Sequence, residues 1–458
     1  MKVLKFGGTS VGTTESLRNV KSIVDSLDEP AVVVVSALGG LTDRLISTAK
    51  KASSGDVTFK EDVASMVSRH HAIIDDLVPD VKKQEVLDKV DSLLSQLNDI
   101  YVGLSLIRDL PERTLNQIVS FGERMSSVIV PAILKNAEHR NSFDFIKTEK
   151  WFNRDIASRQ VTERLIRENF QKPLERTVVT GGFISLDKDS GEITNLGRGG
   201  SDYTAALIAA ALDAESLEIW TDVDGFMTAD PRIIPDARVI SDMTFIESME
   251  LCSFGAKVIY PPTIYPVFHK NIPIRILNTH NPSAPGTLIT DNSARLPECV
   301  RGVSSVKSTA MIRISGNLAA NVAEINSRSY NAMARHGISI FLVAQPNADT
   351  SFSLALSKND AERAAAILRE EFAPEMQSGK VSSVEIESDL AVIAVVREGI
   401  KQLKGLGARL VNTLQRGGIE VKAISDGASE TTIAILVPEL SSDKALRLIH
   451  TACYNTLN

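Results

Sequence analysis

A lysine followed by two glycines is the first place where the sequence could do chemistry. Lys5-Phe6-Gly7-Gly8-Thr9-Ser10 joins a short apolar run, residues 3–6, to a segment of helical spacing from Thr13. Glycines let a backbone approach a ligand closely, and the free N–H groups at a helix start favour an anion. The lysine precedes the glycines, so this is not a Walker A loop, and no G-x-G-x-x-G supports a dinucleotide site. A tight strand-to-helix turn with an exposed lysine explains the same residues equally well. Leu196-Gly197-Arg198-Gly199-Gly200-Ser201-Asp202-Tyr203 repeats the theme before another helix. Ser201 or Asp202 could be a plain N-cap. Arg198, set between glycines, has a fork suited to a carboxylate or phosphate, so an anion site is favoured over a bare cap.

Further candidates follow along the chain. Ile219-Trp220-Thr221-Asp222-Val223-Asp224-Gly225 closes a strand with acidic residues and leads to Asp230-Pro231-Arg232, although Asp-Gly is also ordinary turn chemistry. Phe254-Gly255-Ala256-Lys257-Val258 sets another lysine beside a glycine. Phe121-Gly122-Glu123-Arg124-Met125-Ser126 places a carboxylate in a helical stretch, where it is expected to be exposed or paired, because a buried unpaired carboxylate is costly. His70 and His71 point apart on a helix, which excludes a metal centre built on the pair and leaves both expected at the surface.

The elements that must position these residues alternate strand and helix over the first ~290 residues, the pattern of an α/β layered domain. Strands are expected at 3–6, 31–38, 178–184, 217–221 and 273–277. Helices are expected at 13–27, along a tract over 60–106, at 111–136 and at 201–212. A turn-rich linker, Asn281-Pro282-Ser283-Ala284-Pro285-Gly286, precedes a change of character near 292–297. Beyond it lies an internal repeat: Asn331, Arg335, Gly337, Ile338 and Thr350 recur as Asn412, Arg416, Gly418, Ile419 and Thr431, each 81 positions later. Two copies are too few for a solenoid and fit a pair of small βαββαβ modules. The chain has 458 residues, enough for two to four domains, and 50 basic against 57 acidic side chains, a balance that argues against a general nucleic-acid binder. Cys252, Cys299 and Cys453 are far apart, with no disulfide or zinc pattern, so a reducing compartment is expected. No apolar run approaches the ~20 residues of a membrane span, and the start leaves no room for a signal peptide, so the expected location is cytoplasmic.

Taken together and in this order, K-F-G-G-T-S, F-G-E-R-M-S, G-R-G-G-S-D, W-T-D-V-D-G…D-P-R and F-G-A-K-V resemble the aspartate kinase (aspartokinase) family. The resemblance covers essentially the whole chain, because these enzymes also end in two ACT modules. It implies an amino-acid kinase (carbamate-kinase-like) αβα sandwich over 1–292, followed by α+β, ferredoxin-like ACT modules at 305–384 and 385–458, one of them inserted in the other. It implies transfer of the γ-phosphoryl of ATP, carried with Mg²⁺, to the side chain of L-aspartate, with no dedicated protein cage for a metal. By similarity, Lys5 lies at the transferring phosphoryl beside the Gly7 and Gly8 amides, and Asp202 holds Lys5. Arg198 grips a carboxylate of aspartate, Glu123 its ammonium group, and Thr42 and Ser201 complete that pocket. Thr221, Asp222, Met227, Arg232, Lys257 and Val258 match positions around the nucleotide.

Residues 114–127 and 387–455 look most like the kinase portion of bifunctional aspartokinase–homoserine dehydrogenases. No dinucleotide motif follows, so dehydrogenase activity is not expected. The regulatory half departs from the family: Leu318, Asn321 and Glu324 replace loop glycines, and the effector turns read from Gln345 and from Asp426. Threonine is favoured over lysine as effector, with a purely structural role in a homodimer as the alternative. A non-catalytic amino-acid sensor and another amino-acid kinase are the competing functions.

Overall fold

Val3–Phe6 and Val32–Val35 are wholly buried, near-continuous apolar strands, the pattern expected where helices cover both faces of a parallel sheet. The computed structural model describes the chain except residues 153, 171–172, 292–299, 318–321, 346–350, 426–429, 455–458 and the side chain of 322. Cys299, Leu318, Asn321 and Asp426 therefore lie outside the described residues. The chain divides into two units, one of residues 1–226 with 258–291, the other of 227–257 with 292–458.

In the first unit the strands run in the order Thr287–Thr290, Ile274–Asn278, Leu217–Thr221, Val3–Phe6, Val32–Val35, Thr177–Gly181, Ala137–His139. All pair in parallel except the outer Thr287–Thr290. From Val3–Phe6 the chain moves first to one neighbour, Val32–Val35, and only later to the other, Leu217–Thr221. The carboxyl ends of these three strands therefore border a topological switch point, where open α/β sheets bind ligands. A small second sheet joins Lys147–Trp151, Arg154–Ala157, Ile184–Asp187 and Ile193–Asn195.

Several expectations change on folding. The strand expected over 178–184 is two strands in different sheets, broken at Phe183, whose φ of 65° no continuous strand accepts. The tract 60–106 is two helices, Phe59–Leu77 and Asp80–Ile107, separated at Pro79, which cannot continue a helix. His70 is fully buried rather than at the surface: its Nδ1 lies 2.7 Å from Met66 O and its Nε2 has no hydrogen-bond partner among the described residues. Burial pushes its pKa down to about 4. His71 does reach solvent and meets Asp91 at 2.6 Å. Among the described residues no helix is long and apolar enough to cross a membrane.

The second unit carries one antiparallel sheet in the order Ile340–Ala344, Ser351–Ser357, Gly302–Gly316, Val381–Val396, Thr432–Pro438, Ala423–Ser425. The repeat is visible in it, with helices Val322–Arg335 and Leu406–Arg416 preceding the matched strands. Its two long central strands each serve both copies. Residues 302–306 pair with 392–396, while 311–316 pair with 381–387. The register breaks at Ser308, with φ 53°, and the other strand turns at Asp389, with φ 60°, again 81 positions apart. The second copy thus takes its last strand from chain that precedes the first.

Candidate functional site

Side chains alternate across a strand. Leu4 and Phe6 enter the core shared with helices Thr14–Asp25 and Glu112–Ile133, so Lys5 emerges on the opposite face, where helix Gly200–Ala211 begins. There Lys5 Nζ lies 2.5 Å from Asp202 Oδ1, and both side chains are close to nine-tenths buried. Neither Ser201 nor Asp202 is the cap: Gly199 is, at φ 67°, and the two residues fill the first helical turn, whose free amides favour an anion. Gly182 makes this possible, since a Cβ there would sit 2.5 Å from that of Ser201.

Glu123 comes from a helix that is buried along most of residues 118–133. It is only 4% exposed, and its Oε2 has no partner among the described residues. The expectation of an exposed or paired side chain is therefore corrected. Burial pushes its pKa up to about 8, against the hydrogen bond from the Ala37 backbone and the attraction of Lys5. Gly122 brings the helix this close, because any Cβ there would lie 2.6 Å from that of Ala37.

Lys5, Thr42, Glu123, Ser201 and Asp202 line one cavity of about 170 Å³. That volume is below the roughly 300–1,000 Å³ of drug-sized pockets and suits a small metabolite. The cavity offers a cation held by a carboxylate, a helix N-terminus, and a second carboxyl group with an oxygen to spare. Such a set takes a molecule bearing both an ammonium and anionic groups. Ser36 and Phe183, which belong to none of the motifs above, also line it. Phe183 had a signal in Gly181-Gly182, a glycine pair that ends the strand; Ser36 had none. A larger groove of about 1190 Å³, lined by Glu112, Arg154, Asp155, Lys188 and Tyr203 among others, shares Gly197 with the cavity but contains none of the five.

Other predicted residues fall elsewhere. Gly7 N donates to Trp220 O at 3.1 Å, and Ser10 Oγ to the same oxygen at 3.2 Å, which laces the glycine turn to the strand end before Thr221. Thr221 Oγ1 donates to the exposed Asp222 at 3.2 Å, and Val258 is half-buried. Arg198 is exposed and does not line the cavity. Met227, Arg232 and Lys257 belong to the second unit. There Met227 bridges to Val239, Arg232 folds onto Asp230 with contacts of 2.7 to 3.2 Å, and Lys257 is exposed. Gln345 accepts a hydrogen bond from Asn326 at 2.7 Å. Among the described residues no group of three or more His, Cys, Asp or Glu side chains could hold a metal ion.

Comparison with known proteins adds to this geometry. The amino acid kinase family model matches residues 1–278, and an ACT domain model matches 393–453. The bifunctional aspartokinase/homoserine dehydrogenase of Haemophilus influenzae is 33% identical over 99% of this chain and 57% of its own length. The chain spans about half the length of the bifunctional relatives it matches. Escherichia coli aspartokinase III in complex with aspartate and ADP, in its R-state, superposes with a TM-score of 0.86 at 28% identity, covering 99% of this chain and all of that one. The same enzyme with lysine and aspartate, in its T-state, gives 0.75 at 27% identity over 99% of both chains.

Proposed function

The chain belongs to the amino acid kinase family, and on that premise we propose that it is an aspartate kinase. In this reading it transfers the γ-phosphoryl group of MgATP to the side-chain carboxylate of L-aspartate, giving 4-phospho-L-aspartate and ADP. The observation that carries the reading is Glu123: a buried carboxyl group with an unsatisfied oxygen, in the same small cavity as the Lys5–Asp202 pair. An ammonium group satisfies that oxygen, and the aspartate side chain then extends toward Lys5.

The chemical step forms a bond between a carboxylate oxygen and the γ-phosphorus and breaks the bond from phosphorus to the bridging oxygen of ADP. The nucleophile is already ionised at neutral pH, so no protein base is required. What the site must supply is placement and charge neutralisation between two anions. Lys5, aimed by Asp202, meets the charge on the transferring group, and the Gly8 amide lies beside it, the Gly7 N–H being taken by Trp220 O. Arg198, free at the surface to swing onto a carboxylate, grips the amino acid, with Thr42 and Ser201 beside it. Thr221, Asp222 and Val258 serve the nucleotide. Magnesium arrives with ATP, held by phosphates and water, in keeping with its usual coordination.

The proposal extends to organisation. Residues 1–292 are catalytic, and 305–384 and 385–458 are regulatory modules that dimerise through their sheets, in a cytoplasmic homo-oligomer. Threonine is the favoured effector, read by the turns at Gln345 and Asp426. The test is acyl hydroxamate formation from MgATP, L-aspartate and hydroxylamine, with and without threonine or lysine. Aspartate-dependent product that disappears in Arg198→Ala supports the reading; its absence in the wild type overturns it. Indifference to both amino acids leaves the modules structural.

A further inference from the structure

The loops that follow Val3–Phe6 and Val32–Val35 interlock through glycine. A Cβ on Gly39 would lie 2.9 Å from Gly8 O, and one on Gly12 would lie 3.0 Å from the same oxygen. Arg69 closes this knot from outside. Its Nη2 donates to Gly12 O at 2.7 Å and to Gly39 O at 2.8 Å, one nitrogen serving both loops.

Arg69 lies on helix Phe59–Leu77, which is tied down on either side of it. Toward one end, Asp62 accepts from Lys51 of helix Leu41–Ser54 at 2.7 Å. Toward the other, Asp76 takes both its hydrogen bonds from Arg18 of helix Thr14–Asp25, at 2.9 and 2.7 Å. Between these ties the buried His70 keeps the helix seated. The helix thus straps the two loop–helix segments together, and Arg69 is where the strap touches loop backbone. One loop carries Gly7 and Gly8. The other leads directly into Thr42.

We infer that Arg69 is a positioning residue for phosphoryl transfer, setting the spacing between the loop that cradles phosphate and the loop that presents Thr42 to the amino acid. The inference rests on the aspartate kinase reading above. A guanidinium suits the task because it is always charged and presents a rigid set of donors. An error of about 1 Å in placement can lower a rate about 10²-fold, so the clamp acts on turnover more than on binding.

The test compares wild type with Arg69→Met, Arg69→Lys and Asp76→Asn. It measures aspartate-dependent ADP release, KM for both substrates, Tm, and hydrogen exchange of peptides over 6–12 and 38–42. The Met variant is expected to lose about 10²-fold in kcat with little change in either KM, and to exchange faster in both peptides. The Lys variant, which keeps a charged donor, recovers part of the loss. Asp76→Asn lowers Tm through the same helix yet keeps kcat and exchange. Full kcat in Arg69→Met, or loss of kcat in Asp76→Asn in step with its Tm, overturns the inference. If Arg69→Met does not fold, the Lys variant decides by the same kcat and exchange readings. If the wild type shows no aspartate-dependent turnover, the kinase reading falls, and unchanged exchange in the two peptides overturns the clamp independently.

Discussion

Two buried glutamates, one in each unit, are used in opposite ways. Glu247 in the second unit is 2% exposed and fully engaged. Its Oε2 accepts from Thr244 N at 3.0 Å, completing a capping box, and from Arg301 Nε at 3.2 Å. Its Oε1 accepts from Glu398 N at 2.9 Å. Glu123 in the first unit is 4% exposed, yet has an oxygen with no partner among the described residues. A buried carboxylate is tolerable when its partners replace water, as at Glu247, and costly when they do not, as at Glu123. The difference separates a carboxylate that holds structure from one kept ready for a ligand.

The largest effect that would sharpen this contrast is expected at the partner of the waiting site. Lys5→Met should lower aspartate-dependent turnover about 10³-fold, since it removes the cation facing the developing charge. A steady-state assay showing less than a tenfold loss would break the assignment. Next, Glu247→Ala should destabilise the protein by about 3 kcal/mol in denaturant unfolding, because Arg301 is left buried without its main carboxylate. Glu123→Gln should do the reverse: stability is held or raised, while KM for aspartate rises about 10–100-fold through loss of one charged contact. Equal destabilisation by the two substitutions would erase the distinction.

Titration adds a finer test of Glu123. Its carboxyl group in the free protein is pushed up to about 8. Binding an ammonium requires the ionised form, so aspartate binding below that pH releases a proton, and apparent affinity should climb as pH approaches 8. In stability the sign runs the other way. The folded value lies above the ordinary 4.5, so Glu123 costs nothing below pH 4.5 and destabilises progressively from there to 8. Glu123→Gln should flatten both profiles. The smallest expected effect belongs to His70. Its folded value, about 4, lies below the ordinary 6.5, so the unfolded chain takes up the proton first and stability is lost as pH falls from 6.5 toward 4. At pH 5.5 the loss should be about 1 kcal/mol, and His70→Gln should remove that slope from the Tm profile.

The paired modules show how far a repeat can be read. The 81-residue spacing of Asn331, Gly337 and Thr350 with Asn412, Gly418 and Thr431 gave both copies their helices and strands, because period and turn residues are local properties. The exchange of strands at Ser308 and Asp389 was not legible in that way. It depends on which chain segment reaches an open sheet edge, a contact between residues 302–306 and 392–396 that no local pattern encodes.

The same division holds at the site. Sequence alone determined that Lys5, the glycine turns, Arg198 and Asp202 stand at strand-to-helix junctions, because glycine pairs, apolar strands and helical spacing are written along the chain. It also determined that Glu123 lies within a helix. Only the tertiary structure decided that Glu123 is buried with an oxygen unsatisfied, that Gly199 rather than Ser201 caps the helix, and that Arg69 and the buried His70 stand behind the loops. Those outcomes depend on desolvation and on the approach of segments far apart in sequence. A pattern of residue types specifies which elements form, but the environment of a charge is fixed only when the elements pack.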